Sequence, residues 1–162
     1  MGLSILMAKE NEKICNVSHA YKIEEKDYKK YIEFCSKDCK KGDIVSCTVL
    51  GDMYTHGQGV EIDYDIAFDL YVKACDAKHA EACYMLGTGY HVGRGVSQDF
   101  PKVARYYDLA CSYGFGEGCY MLGAMYDGGQ GVRKSQAKKE EYYQKACDVA
   151  YDLGCDYFKN KD

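Results

Sequence analysis

Eight of the ten cysteines fall on two interleaved registers with one shared period. Cys39, Cys75, Cys111 and Cys147 are 36 residues apart, and so are Cys47, Cys83, Cys119 and Cys155. A chain with a period of this length is built from copies of one supersecondary unit, each burying its apolar side against the next. The text between the cysteines recurs as well. Leu50-Gly51, Leu86-Gly87 and Leu122-Gly123 form one register, and Tyr54, Tyr90 and Tyr126 another. Gly-x-Gly-Val segments follow at 57–60, 93–96 and 129–132, then Tyr71, Tyr107 and Tyr143 ahead of each Ala-Cys pair.

Each unit reads as helix, glycine loop, helix. The first helix, A, is expected over about 44–55, 80–91 and 116–127, because Cys47, Leu50, Gly51 and Tyr54 are spaced as one helical face. A glycine on that face costs about 1 kcal/mol against alanine. Its recurrence at Gly51, Gly87 and Gly123 predicts a close approach that a Cβ would block. The Gly-x-Gly loop supplies positive φ at a tight reversal. The second helix, B, is expected over about 64–77, 100–113 and 136–149. Asp63, Asp99 and Ser135 stand at its N-cap, and Pro101 falls in a first turn that tolerates a missing N–H.

The fold class that follows is all-α, a solenoid of 36-residue helix-loop-helix repeats. Residues 1–162 read as a single solenoid domain: a degenerate N-terminal repeat at 1–46, full repeats at 47–82, 83–118 and 119–154, and a short C-terminal cap at 155–162. Within the first segment, 10–21 reads as a degenerate A helix. Residues 25–40 read as a B helix with Tyr31 and Phe34 inward. After Cys155, Tyr157 and Phe158 start a last A helix that Lys159 to Asp162 cut short.

A formal net charge of −4 argues against non-specific binding to nucleic acid or to an anionic membrane, which needs a basic surface. No apolar run approaches the roughly 18 residues of a membrane span. Seventeen tyrosines and no tryptophan predict a core of phenol rings with hydroxyls at its edge. Ten cysteines, an even number, fit a disulfide framework and hence an oxidising compartment, so the protein is expected to be secreted or periplasmic. No complete signal peptide is present. The short apolar run Leu3 to Ala8 reads as the tail of a truncated one behind an added Met1-Gly2, or as an ordinary helix start.

Each cysteine pair has the spacing Cys-x7-Cys, from the end of helix B into the start of the next helix A. A short turn between antiparallel helices sets such positions side by side. The expected bonds are Cys39–Cys47, Cys75–Cys83, Cys111–Cys119 and Cys147–Cys155. Cys15 and Cys35 are left over, either as a fifth disulfide or as two buried thiols. Zinc favours Cys-x2–4-Cys knuckles in pairs. Cys35-x3-Cys39 is a single one, so no metal and no cofactor is expected.

Ala80, Cys83-Tyr84-Met85-Leu86-Gly87, Tyr90 and Gly93-Arg94-Gly95-Val96 resemble the signature of the SEL-one-like repeat family. The 36-residue length, the Cys-x7-Cys pairs and the strings at Tyr71–Asp76 and Tyr143–Asp148 narrow the likeness to the Helicobacter cysteine-rich proteins, over about residues 25–158. The resemblance implies a right-handed α/α superhelix in a secreted or periplasmic protein, and a role in protein interaction. It also raises a second reading, a penicillin-binding protein with weak β-lactam hydrolysis. A serine enzyme of that kind uses Ser-x-x-Lys with Ser-Asp-Asn and Lys-Thr-Gly. Ser135-Gln136-Ala137-Lys138 supplies the first and the other two are absent, while Ser135 is already accounted for as an N-cap. No other constellation carries catalysis, so no catalytic residue is assigned.

The leading functional reading is therefore a scaffold binding a protein or peptide. A binder of cell-wall glycan, muropeptide or another peptidoglycan fragment is a further alternative. One stripe of helix A changes from repeat to repeat while the framework stripe stays constant. It comprises Thr48, Asp52 and Thr55, then Tyr84, Thr88 and His91, then Tyr120, Ala124 and Asp127. Spacing of i, i+4, i+7 puts each trio on one face. These residues are the candidate recognition surface, expected on the concave side of the array.

Overall fold

The computed structural model describes Cys15 and residues 23–159 of the 162-residue chain. The expected degenerate A helix over 10–21 and the Leu3 to Ala8 run lie outside these residues, apart from Cys15. Among the described residues there are eight α-helices and no strand. The chain divides into two compact units, Met1–Ala77 and Lys78–Asp162.

In the first unit a 3-10 turn, Glu25–Asp27, leads into α1 (Tyr28–Lys40), followed by α2 (Ile44–His56) and α3 (Tyr64–Asp76). The expected helix over 25–40 is thus a 3-10 turn followed by the α-helix proper. Tyr31 is fully buried, while Phe34 is only partly so. Cys15, Tyr31, Cys35, Val49, Leu50 and Met53 form the core of this unit. The second unit contains α4 (Ala80–Val92), α5 (Phe100–Ser112), α6 (Gly116–Gly128), α7 (Gln136–Asp148) and α8 (Asp152–Lys159). Its core is built on Val103, Tyr107, Leu122, Met125, Tyr142 and Ala146. The last A helix begins at Asp152, a turn before Cys155, rather than at Tyr157. The N–H of Tyr151 bonds the Ala146 carbonyl at 2.9 Å, as that of Phe115 bonds Ala110, so α8 starts in the same register as α6.

The helix-loop-helix unit repeats in its hydrogen bonds. Helix A ends at Gly57, Gly93 and Gly129, all left-handed. At Gly129 (φ +71°) the N–H returns to the Met125 carbonyl at 2.8 Å, a C-terminal cap that a Cβ would strain. The loop then closes where the N–H of Asp63, Asp99 and Ser135 bonds the carbonyl of Tyr54, Tyr90 and Tyr126 at 3.1, 3.3 and 3.0 Å. Those three residues start helix B, and their side chains accept the N–H of Ile66, Lys102 and Lys138 as expected of N-caps.

The A and B helices of one repeat meet at the glycines. A Cβ at Gly51 would lie 2.7 Å from the Tyr71 ring, at Gly87 2.6 Å from the Tyr107 ring, and at Gly123 2.6 Å from the Tyr143 ring. The glycine is retained because the flat face of a tyrosine lies on its Cα. Between repeats the approach is as close. A Cβ at Gly118 would meet Ala110 Cβ at 2.8 Å, and one at Gly154 the Tyr143 carbonyl oxygen at 2.7 Å.

Disulfides bridge these same junctions. Cys39–Cys47, Cys111–Cys119 and Cys147–Cys155 have Cα–Cα distances of 4.7, 4.5 and 4.6 Å. Cys15–Cys35, at 5.3 Å, is the fifth disulfide and not a pair of thiols. Cys75 and Cys83 are disulfide-bonded too, and no described cysteine is free.

A leucine at position 87 has no space beside the Tyr107 ring. Gly87→Leu should lower unfolding stability by about 3 kcal/mol or more, the upper end for an overpacked core. Chemical denaturation measures it; unchanged stability would mean the ring moves aside freely.

Candidate functional site

The changing stripe of helix A is assembled differently in the two units. In the first, Thr48 is fully buried and its hydroxyl donates to the Ile44 carbonyl at 3.2 Å. Thr48 therefore belongs to the interior, a correction to its place on the candidate surface. A small β-branched residue with a hydroxyl satisfied inside its own helix can be buried where a tyrosine stays at the rim. Asp52 and Thr55 remain partly exposed but are engaged with the core tyrosine. The Tyr71 hydroxyl donates to Asp52 Oδ1 at 2.6 Å and lies 3.1 Å from Thr55 Oγ1.

In the second unit Tyr84 and Tyr120 are partly exposed, and each is wedged between two rings. Tyr84 stacks on Tyr107 (centroids 5.5 Å apart) and tilts against Phe115 (5.1 Å). Tyr120 stacks on Tyr143 (5.0 Å) and tilts against Tyr151 (5.8 Å). Helix B supplies the first ring of each pair, and the residue before the next helix A supplies the second. The Tyr84 hydroxyl donates to Glu117 Oε1 at 2.8 Å, and burial followed by that carboxylate pushes its pKa up. Thr88 Oγ1 lies 3.4 Å from the Tyr107 hydroxyl, in the register of Asp52. His91 meets Phe100 edge-on at 5.9 Å. Asp127 pairs with Lys139 at 3.0 Å, and the Lys139 ammonium sits 5.1 Å from the Tyr157 ring centroid.

Beside this last pair lies a cavity of about 460 Å³, lined by Tyr120, Asp127, Lys139, Tyr143, Leu153, Asp156 and Tyr157. Of these only Tyr120 and Asp127 were candidates on sequence grounds. Breaks in the repeat could have revealed four of the others: Lys139 stands where the buried Val103 does, Leu153 where Glu117 does, Asp156 where Tyr84 and Tyr120 do, and Tyr157 where Met121 does.

A family model of the Sel1 repeat matches residues 44–79, 80–115 and 116–151. The chain belongs to the Sel1 repeat family. Its three matched repeats begin at Ile44, Ala80 and Gly116, the first residues of the A helices α2, α4 and α6. Among solved structures, it is similar to a Sel1 repeat protein from Oxalobacter formigenes, with 28% identity and a TM-score of 0.71, covering 78% of this chain and 95% of that one. It is similar to Helicobacter pylori cysteine-rich protein B, with 30% identity and a TM-score of 0.67 over 82% of this chain and 96% of that one. A protective antigen of uropathogenic Escherichia coli matches 98% of this chain over 35% of its own length, at 26% identity and a TM-score of 0.80. A search of curated proteins finds no match.

The Sel1 repeats also explain the Ser-x-x-Lys string. Ser135 Oγ accepts the N–H of Lys138 at 3.3 Å, in the same way that Asp63 and Asp99 cap their helices. The Lys138 ammonium donates to Glu141 Oε2 at 2.8 Å, which raises the lysine pKa. A lysine acting as general base needs its pKa lowered. Glu141 also accepts from Lys145 at 2.8 Å, and the two lysines hold its carboxyl down to about 2. Because the folded pKa is depressed, the stabilisation is present above the ordinary carboxylate range of about 4 and is lost as pH falls towards 2. Its size is small, since these groups are exposed and screened. An NMR titration should place the Glu141 midpoint near 2, and Lys138→Gln should move it up towards 4. A midpoint near 4 in the unaltered protein would remove the lysine pair from the account.

Proposed function

We propose that this Sel1 repeat protein is a disulfide-stapled scaffold that binds a protein or peptide partner through the changing stripe of its A helices. The observation that carries the reading is the setting of Tyr84 and Tyr120. Both are amphipathic rings at the surface, held in one orientation by flanking aromatic rings. Rings fixed before binding lose little conformational freedom on contact, and tyrosine is among the residues that dominate binding energy. Thr88, His91 and Asp127 complete the surface in the same unit. Asp52 and Thr55 offer the corresponding face in the first.

The compartment we propose is secreted or periplasmic. Ten oxidised cysteines require an oxidising environment to persist, and the likeness to a cysteine-rich Helicobacter protein supports the same placement.

Capture from host and bacterial extracts under oxidising conditions should yield a partner. Tyr84→Ala and Tyr120→Ala should each weaken that complex by roughly 1–3 kcal/mol while the helical circular dichroism is kept. Normal binding by both variants would move recognition to another face. A nitrocefin assay belongs beside this test: hydrolysis that disappears in Ser135→Ala would favour a β-lactam enzyme over the scaffold.

A further inference from the structure

The cavity between α6, α7 and α8 differs from the equivalent place one repeat earlier at five of its seven lining positions. Asp127 replaces His91, Lys139 replaces Val103, Leu153 replaces Glu117, Tyr157 replaces Met121, and Asp156 replaces Tyr120. The last change matters most. Tyr84 and Tyr120 bring a phenol ring to this register, whereas Asp156 brings a short carboxylate and leaves the space of about 460 Å³ open. The walls are aromatic, with Tyr143 and Tyr157 in contact at 4.6 Å between centroids and Tyr120 stacked on Tyr143. The rim is polar, with the carboxylates of Asp127 and Asp156 both close to half exposed.

We propose that this cavity is a slot for a tyrosine side chain of a peptide partner. The inference rests on the scaffold reading above and names what one part of the surface recognises. The chain itself shows the chemistry that such a place accepts. Two of its own phenols lie against tyrosine rings and donate their hydroxyls to carboxylates: Tyr84, on Tyr107, to Glu117 at 2.8 Å, and Tyr142, on Tyr126, to Asp108 at 2.8 Å, while the Tyr71 hydroxyl also donates to a carboxylate, Asp52, at 2.6 Å. An incoming phenol finds both elements here, stacking partners in Tyr143 and Tyr157 and an acceptor in Asp156 or Asp127. A cationic side chain is less suited, because each carboxylate is already matched by a lysine, Asp127 by Lys139 at 3.0 Å and Asp156 by Lys159 at 2.9 Å. A carboxylate has about four acceptor sites, so an ion pair does not by itself exclude a phenol O–H.

The test is an NMR titration of the whole oxidised chain with N-acetyl-tyrosinamide, N-acetyl-phenylalaninamide and N-acetyl-lysinamide. The tyrosine amide should give saturable shifts at Asp127, Asp156 and Tyr157. The phenylalanine amide should bind about three- to tenfold more weakly, the worth of one net hydrogen bond, and the lysine amide should bind more weakly still. Asp156→Tyr restores the residue of the earlier repeats and should abolish binding with the fold kept. Asp156→Ala, on an exposed helix face, should keep aromatic binding and narrow the preference for tyrosine over phenylalanine. The proposal is overturned by an absence of saturable shifts, by shifts away from the cavity, by a lysine amide that binds best, or by an Asp156→Tyr protein that binds normally. No macromolecular partner enters this titration. Failure here, with Tyr84→Ala still weakening a captured complex, would remove the slot and leave the scaffold.

Discussion

The closeness with which, within each unit, a B helix meets the following A helix is the constraint on which the rest of this protein depends. At the described junctions the cysteine Cα atoms are 4.5–4.7 Å apart, and small residues occupy the positions beside them. Gly118 lies on Ala110, and Gly154 on Ala146 and the backbone of Tyr143. Larger side chains there would push the helices apart and take the sulfurs out of reach. A loop of this length makes each bridge worth roughly 2–3 kcal/mol on the chain-entropy view. Several together are comparable with the whole stability of an ordinary domain, about 5–15 kcal/mol. The fold can therefore carry many polar and aromatic residues near its surface without relying on a large aliphatic core.

Tyrosine takes up that freedom in two ways. On helix B, Tyr71, Tyr107 and Tyr143 are buried and cover the glycines of helix A, so that one flat ring sets the spacing inside each repeat. On helix A of the second unit, Tyr84 and Tyr120 lie on those same rings and reach the surface. The buried ring and the candidate contact ring are thus one stacked pair. A change at Tyr107 would disturb Tyr84 as well as Gly87. Recognition and folding are joined at this point, and the same geometry recurs wherever the repeat supplies the two tyrosines.

Most of the architecture is legible in the cysteine and glycine registers, because a repeat writes each structural requirement several times. The helices fall within a residue or so of their expected ends at 44, 64, 80, 100, 116 and 136, and the N-caps at Asp63, Asp99 and Ser135 are where the sequence puts them. What is harder to read occurs once. Thr48 is a small residue whose hydroxyl is satisfied by the Ile44 carbonyl, so it is buried where its register partners Tyr84 and Tyr120 stay at the rim, and they mislead. The turn from B to A requires positive φ, met by Gly42 and Gly114 but also by Lys78 and Ala150, whose side chains give no sign of it. Recurring residues do not mark the cavity, because its lining includes Lys139 and Asp156, where the recurrence fails.

A stapled array suits a binding role in an oxidising compartment: its surface residues are free to vary while the bridges keep the helices in place. Peptide mapping of the unreduced protein combined with melting before and after reduction tests this account most directly. The account predicts recovery of the Cys15–Cys35, Cys39–Cys47, Cys111–Cys119 and Cys147–Cys155 peptides. It also predicts a melting temperature that falls by more than about 15 °C on reduction, given a few degrees for each kcal/mol lost. Cysteines that alkylate freely in the native protein, or a melting temperature that reduction leaves unchanged, would contradict it.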